Sequence, residues 1–512
     1  MLVRLVWMLA LALPAAAQDA PEPIVFAALG DVPYSNPEYP LLEKQLASLA
    51  GQVDFAVHVG DIKPGTMPCL ETIYVAVAKI LEESPVPCFV LPGDNEWNDC
   101  LKPAEAKELW VKHLARLDAR WTADWGVTRD EQVPGTFCFE RQGVLFLGLN
   151  LLGGRVDDAE EWKQRHARMA KWVEASWKAH PETRAMVVFG HAQPSAKHQD
   201  FFDAFTGSVI RYGKPVLYLH GDGHLWTWAP DFGPANLLRV QVDQGAIAPP
   251  VRVTVTHDPD RPFRIDRRLD IGPPIATKPI PFTHAHNDYE HPRPLLDALD
   301  QGFTSVEADV FLRNDALMIG HTWLDLRRGR TLEALYLEPL WQRFQDEGTI
   351  IRSERPFQLL IDFKTDASPT WAALQKKLEP YRPMLTRIEN GELVTGAVTI
   401  AISGNRPVKE ILEAKDTSAL LDGRLGDWRR KGFDPQRFAL VSTSWSEHFP
   451  NGSWDEAKQQ KLEALAQECH QHNMTLRFWG TPDDPAVWKR LRAARVDWLQ
   501  ADDLVKLRQF RR

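Results

Sequence analysis

The chain has 512 residues, of which 44% are hydrophobic, enough to build two or three packed domains. A formal net charge of −9 excludes nucleic acid as a constitutive partner, since no surplus of cations is there to neutralise a phosphate backbone. Any phosphorylated substrate must therefore be met by local charge or by a metal.

Residues 1–17 read as an export signal. Arg4 supplies the positive start, Leu5 to Leu13 the apolar run, and Ala15, Ala16 and Ala17 the small-residue cleavage site. A membrane anchor needs about 20 apolar residues, and this run is shorter. No cysteine follows the small residues, which argues against a lipid anchor, and no later stretch is long enough to span a bilayer. The mature chain is expected to be exported, periplasmic or secreted, with no transmembrane segment. Export permits disulfides. The five cysteines are an odd number, so at least one stays unpaired within the chain. Cys88 and Cys138 sit inside apolar runs, and Cys69–Cys100 is the expected bridge.

From residue 22 onward, short apolar runs end repeatedly in an acid or a histidine. They deliver Asp31, Asp61, Asp94, His191 and the Gly221-Asp222-Gly223-His224 turn. Helical patterns such as Leu41 to Leu49 and Glu160 to Ala179 lie between them. Alternating strands and helices predict an α/β layered fold, in which functional side chains gather at strand C-termini. Further apolar runs, Gly135 to Asn150, Leu237 to Asp243 and Val251 to Thr256, complete the strands of a two-sheet sandwich. Five strand ends offering carboxylates or imidazoles are the donor set of a binuclear centre, which activates water and holds phosphoryl oxygens.

The order of these motifs over residues 22–260 resembles the calcineurin-like metallophosphoesterase superfamily. The resemblance implies a four-layer α/β sandwich and a binuclear centre of the Mn²⁺, Fe or Zn²⁺ type, held by Asp31, Asp61, Asp94, His191, Asp222 and His224. The pattern departs from the family at several places. Pro33 stands where the first motif has His, Asp94 where an Asn ligand is usual, and Asp222 where the first His of the last motif would be. Asn95 replaces the histidine that assists the leaving group. It can orient a phosphate oxygen but cannot donate a proton as an acid would.

Residues 261–279 are rich in charge and proline and read as a linker, with Pro273-Pro274 as a semi-rigid spacer. The run Ile280 to Phe282 then leads into His284 and His286. In the apolar run FTSVEADVF, Glu307 and Asp309 are two residues apart and so share one strand face. Two carboxylates interrupting a hydrophobic run would be costly to bury unpaired, and they suit a hard cation such as Mg²⁺ or Ca²⁺. Leu317 to Gly320 delivers His321, either as a strand or as a hairpin beside the preceding one. In FQLLIDFKT, Asp362 completes the oxygen set and Lys364 can neutralise charge on a phosphoryl oxygen.

This stretch resembles the phospholipase C-like phosphodiesterase superfamily, and most of all the altered inheritance of mitochondria protein 6 family. The resemblance covers residues 280–508. It implies a (β/α)₈ barrel, with His286 and His321 as the catalytic pair and Glu307, Asp309 and Asp362 as metal ligands. Asn287 stands where glycerophosphodiesterases have an arginine, so the substrate does not carry over. Eight strands are expected, starting at residues 280, 303, 357, 398, 420, 438, 475 and 496. Ser403, Asn405, Ser444 and Trp479 lie at strand ends where a substrate would be met.

Together these features predict an exported two-domain metal-dependent phosphoesterase. The barrel is expected to be a phosphoric diester hydrolase acting on a small-molecule or lipid-headgroup phosphoester, to a linear or cyclic product. The first domain is expected to be a phosphomonoesterase or phosphodiesterase. The rival expectations are that a single domain is catalytic, or that the chain is an exported binding protein for phosphorylated headgroups. No protein partner is inferred.

Overall fold

A computed structural model describes residues 22–267, 278–450 and 453–511. The expected export signal and most of the expected linker lie outside them. Among the described residues no helix is long and apolar enough to cross a membrane.

Among the described residues the first half holds twelve strands. In chain order they are β1 (Ile24–Leu29), β2 (Phe55–His58), β3 (Cys88–Val90), β4 (Thr128–Arg129), β5 (Phe137–Arg141) and β6 (Val144–Gly148). Then come β7 (Ala185–Phe189), β8 (Val216–His220), β9 (Thr227–Ala229), β10 (Leu237–Gln241), β11 (Val251–Val255) and β12 (Phe263–Asp266). One sheet has the order β12-β11-β1-β2-β3 and the other β4-β5-β6-β7-β8-β10-β9. The run Gly135 to Asn150 is a hairpin of two strands, β5 and β6, turning at Gln142-Gly143 with positive φ at both residues. Phe263–Asp266, inside the expected linker, is an edge strand paired with β11.

Phenylalanines fill the space between the two sheets. Phe26, Phe55, Phe89, Phe139, Phe146 and Phe189 are fully or almost fully buried, with ring centroids 4.9–6.4 Å apart in successive pairs. Aromatic pairs of this kind add about 0.5–1.5 kcal/mol beyond area burial. Leu42, Tyr74, Val77 and Trp110 on helices cover the first sheet, and Met169, Val173, Phe201 and Phe205 cover the second. The result is four layers, helix, sheet, sheet, helix. Cys69 and Cys100 are bridged, while Cys88, Cys138 and Cys469 are free and buried.

The second half adds β13 (Ile280–Ala285), β14 (Phe303–Arg313), β15 (Ala316–Ile319), β16 (Phe357–Phe363), and the small hairpin β17 (Arg387–Glu389) with β18 (Glu392–Val394). It continues with β19 (Val398–Gly404), β20 (Leu420–Gly423), β21 (Phe438–Ser444), β22 (Leu476–Trp479) and β23 (Leu499–Ala501). Eight strands run parallel in the order β22-β21-β20-β19-β16-β14-β13-β23. A bridge between Arg477 and Trp498, with the Trp498 amide donating to Leu476 O at 3.1 Å, nearly closes the ring. β15 is the hairpin alternative, antiparallel to β14. Leu360, Ala401, Leu440 and Trp498 pack together in a small buried cluster apart from the main core.

Candidate functional sites

In the barrel, register decides the site. Asp309 on β14 stands directly opposite Asp362 on β16, and Glu307 shares the face of Asp309. Ligand oxygens of Glu307, Asp309 and Asp362 lie within 4.8 Å of one another. Lys364 Nζ is 3.0 Å from both Asp309 Oδ2 and Asp362 Oδ1, and these two carboxylates hold its pKa up against the opposing effect of burial. The Tyr289 hydroxyl donates to Asp309 Oδ2 at 2.7 Å and lies 3.0 Å from His321 Nδ1. Burial, with added repulsion from Glu307 and Asp362, raises the Asp309 carboxyl to about 6.

Glu307 is handled differently. Burial opposes its charge, but the Arg477 guanidinium at 2.7 Å and His284 at 3.0 Å outweigh that and hold its carboxyl well below the usual range. His284 itself is buried and lowered to about 3, so it acts as a neutral prop. His286 Nδ1 sits 2.7 Å from Asp502 Oδ1. Burial works against protonating His286, yet Asp502 and Glu307 leave its pKa raised. Asp502 fixes Nδ1 as the protonated nitrogen, which leaves Nε2 free for proton transfer.

Ser403, Asn405, Ser444 and Trp479 do reach this end of the barrel, with different employment. Ser403 donates to the buried Asp422 at 2.8 Å, Asn405 to Thr365 O at 3.1 Å. Ser444 caps the turn Trp445–His448. Trp479 is half-exposed.

In the first half, Asp31 and Asp61 follow β1 and β2 at left-handed φ of 55° and 61°, and His224 has a φ of 62°. Such strain in non-glycine residues costs of order 1–3 kcal/mol each and collects at functional sites. Two donor triads form, Asp31–Asp61–His224 and Asp61–Asp94–His191, with Asp61 common to both. His191 Nδ1 lies 2.8 Å from the Val59 carbonyl, which turns Nε2 toward Asp94 Oδ1 at 2.8 Å and Asp61 Oδ1 at 3.3 Å. The approach requires Gly60, at φ +103°: a Cβ there would stand 2.7 Å from His191 Nδ1 and 2.8 Å from Gly93 Cα. Burial raises the Asp61 pKa, and Asp94, Glu96 and Asp31 push it further up against the pull of His191.

Asn95 points its amide at Asp61 Oδ2, 2.5 Å away, and its backbone N–H donates to Asp61 Oδ1 at 3.0 Å. Asp222 falls outside both triads. Its Oδ2 accepts from the Gln193 amide at 2.8 Å, and the carboxylate faces Gly153 alongside Asp94. His58, buried and lowered to about 4 by that burial, bonds Val32 O and stays out of the site.

Comparison with known proteins bears on the barrel first. A family model described as an AIM6-like phosphodiesterase domain matches residues 275–420. The altered inheritance of mitochondria protein 6 homolog of Arthroderma benhamiae is 32% identical over 260 residues, 44% of this chain and 82% of the relative. The chain belongs to the altered inheritance of mitochondria protein 6 family. The Eremothecium gossypii member is 28% identical over 279 residues, 46% of this chain and 70% of its own. Two solved structures share limited similarity. The 5'-nucleotidase from Candida albicans is 12% identical, with 48% of this chain and 50% of that chain covered, at a TM-score of 0.32. GAP50, the anchor in the inner membrane complex of Plasmodium, is 11% identical, with 46% and 81% covered, at 0.31.

For this member of the altered inheritance of mitochondria protein 6 family, both donor sets fit a cation. Buried Asp31 Oδ2 and Asp309 Oδ1 have no hydrogen-bond partner, a cost of about 1–3 kcal/mol or more each for a charged group left alone. Burial and crowding keep the Asp61 and Asp309 pKa values raised in spite of His191 and Lys364 beside them, so a further positive charge at either place would favour the ionised carboxylates. Sequence reasoning missed four participants: Tyr34 and Tyr289, whose hydroxyls enter the two donor sets, Asp502 behind His286, and Arg477 behind Glu307. It also missed Glu96, which is fully buried and accepts from the amides of Asp61, Ile62 and Gly93 at 3.1, 3.2 and 2.8 Å. The acid three residues after Gly93 was the one available signal for Glu96.

Proposed function

We propose that the chain is an exported metal-dependent phosphoesterase of two domains, residues 22–260 with the edge strand Phe263–Asp266 added to its sheet and residues 280–508, whose barrel cleaves a phosphodiester. The observation that carries this reading is the meeting of Glu307, Asp309, Asp362, Lys364, His286 and His321 at one end of the barrel, within an AIM6-like phosphodiesterase domain. A Mg²⁺ or Ca²⁺ ion held by Glu307, Asp309 and Asp362 would polarise the phosphoryl group. His286, held by Asp502, takes a proton at Nε2 from the attacking water or substrate hydroxyl. His321, whose Nδ1 faces Tyr289 and Asp309, returns a proton from its other nitrogen to the leaving oxygen. Lys364 balances the negative charge that gathers at phosphorus.

The first domain serves as a second phosphoester site on a binuclear centre held by Asp31, Asp61, Asp94, His191 and His224. Support comes from the two triads that share Asp61. Its substrate is a phosphomonoester or diester small enough to approach Asn95. Two phosphate-type sites in one exported chain suggest work in series, the barrel opening a diester and the first domain removing phosphate from the product.

A panel of phosphomonoesters, glycerophosphodiesters and sphingomyelin-type lipids, assayed with Mg²⁺, Ca²⁺, Mn²⁺ and Zn²⁺, tests the proposal. His286→Ala should lower diester cleavage by about 10²–10⁴-fold while sparing monoester cleavage, and Asp61→Asn should do the reverse. Diester turnover that survives His286→Ala unchanged would remove the barrel from the chemistry. Tight binding without turnover in every metal would instead favour a headgroup-binding protein.

A further inference from the structure

The Tyr34 hydroxyl stands in the middle of the first donor triad. It lies 2.8 Å from Asp61 Oδ2, 3.2 Å from Asp31 Oδ1 and 3.3 Å from His224 Nε2, and His224 Nε2 is itself 3.2 Å from Asp31 Oδ1. Donor atoms about 2.1 Å from a common ion, at tetrahedral or octahedral angles, stand about 3.0–3.4 Å from each other. The edges at 3.2, 3.3 and 3.2 Å have that length, and the one to Asp61 Oδ2, at 2.8 Å, is somewhat shorter. A lone hydroxyl proton, by contrast, can satisfy only one of the two carboxylates and the imidazole that converge on it. Asn95 Nδ2, 3.3 Å away, supplies a donor from the remaining side.

We propose that Tyr34 is a fourth ligand of the cation held by Asp31, Asp61 and His224, bound through its phenolic oxygen. The proposal deepens the two-cation reading of the first domain and rests on it. Tyr34 is the donor this turn offers beside Asp31, since the side chains of Val32 and Pro33 between them carry none. The turn that starts at Asp31 brings the ring back over the site, and the ring meets His224 edge-on, with centroids 5.6 Å apart. A phenolate is a hard anionic donor, so the fourfold set of two carboxylates, a phenolate and an imidazole suits Zn²⁺, Mn²⁺ or a ferric ion more than a soft metal.

The test uses the full chain, freed of metal by a chelator and titrated with Zn²⁺. Bound metal is counted by elemental analysis after equilibrium dialysis, and ultraviolet difference absorption reports the coordinated phenolate. The parent should give a tyrosinate difference band on loading. Tyr34→Phe should lose that band and bind one equivalent about 10–100-fold more weakly, at least the loss typical of partners that only orient a ligand. No band in the parent, a band that persists in Tyr34→Phe, or unchanged affinity in Tyr34→Phe each overturns the proposal. Asp61→Asn is the comparator. If it weakens Zn²⁺ binding while Tyr34→Phe does not, Tyr34 alone is excluded; if neither weakens it, the two-cation reading fails with it. Tyr289→Phe, which removes the hydroxyl beside Asp309, should keep the band; if Tyr34→Phe does not fold, judged by circular dichroism of the metal-free chain, loss of the band in Tyr289→Phe overturns the proposal.

Discussion

At the scale of single residues, Asp502 has the most to say about the barrel's chemistry. Its carboxylate reaches His286 from the turn just after the last strand of the ring, 216 positions away in the chain. Burial and the Arg477 charge favour the neutral imidazole, while Asp502 and Glu307 favour the charged one and prevail. A base with a raised pKa must lose its proton before it can act, so the acidic limb of the rate profile should fall above the ordinary histidine value of about 6.5. Asp502→Asn should shift that limb to lower pH and reduce the rate by freeing the ring's orientation. A profile of kcat/KM against pH on a diester checks both, and a limb that stays in place would mean that another group sets it.

At the scale of elements, the strands act as rulers. Alternation along β14 puts Glu307 and Asp309 on one face, and that much could be read from two positions in the chain. Which strand lies beside it, and at what offset, could not: Asp362 opposes Asp309 only because β16 pairs with β14 in that register, and a slip of one residue would turn Asp362 away. β22 adds Arg477, of which 2% of the side chain is exposed, as the buried counter-charge of Glu307. Removing one member of a buried pair costs about 3–5 kcal/mol. Arg477→Met should lower the thermal midpoint accordingly when measured in chelator, and added Mg²⁺ should recover part of the loss by replacing the missing charge. A midpoint equal to that of the parent would show that Glu307 does not depend on Arg477.

At the scale of the molecule, the two halves are joined close to both sites. Trp226, two residues after His224, is buried and donates through Nε1 to Ala334 O at 3.2 Å. Its ring also stacks under the Arg267 guanidinium, 4.3 Å from the centroid, and Arg267 pairs with Asp243 at 2.6 Å. Arg264 on β12 pairs with Asp346 and reaches Gln342 on the helix Glu338–Glu347. On the barrel side, Arg330 ends the loop that starts at His321 and donates to Tyr289 O at 3.0 Å. Truncating a buried tryptophan costs about 3–5 kcal/mol. Trp226→Ala should therefore split a single calorimetric unfolding transition into two, one for each half. A single transition in the variant would mean that the join does not depend on this side chain.

The amino-acid sequence alone carried the α/β class and the eight barrel strands, left the run Leu317 to Gly320 open between strand and hairpin, made Cys69–Cys100 the first choice of bridge, and offered most of the acids and histidines of the donor sets. These depend on local periodicity and on which residue types end an apolar run, and both are written in consecutive positions. It took the tertiary structure to bring out that Asp61 is shared by two triads with Asp222 lying alongside Asp94, that Tyr34 and Tyr289 enter the donor sets, and that Asp502 and Arg477 support His286 and Glu307. Those facts depend on strand register, on ring closure and on how a turn with positive φ aims a side chain. They are distances between residues far apart in the chain, and only packing sets them.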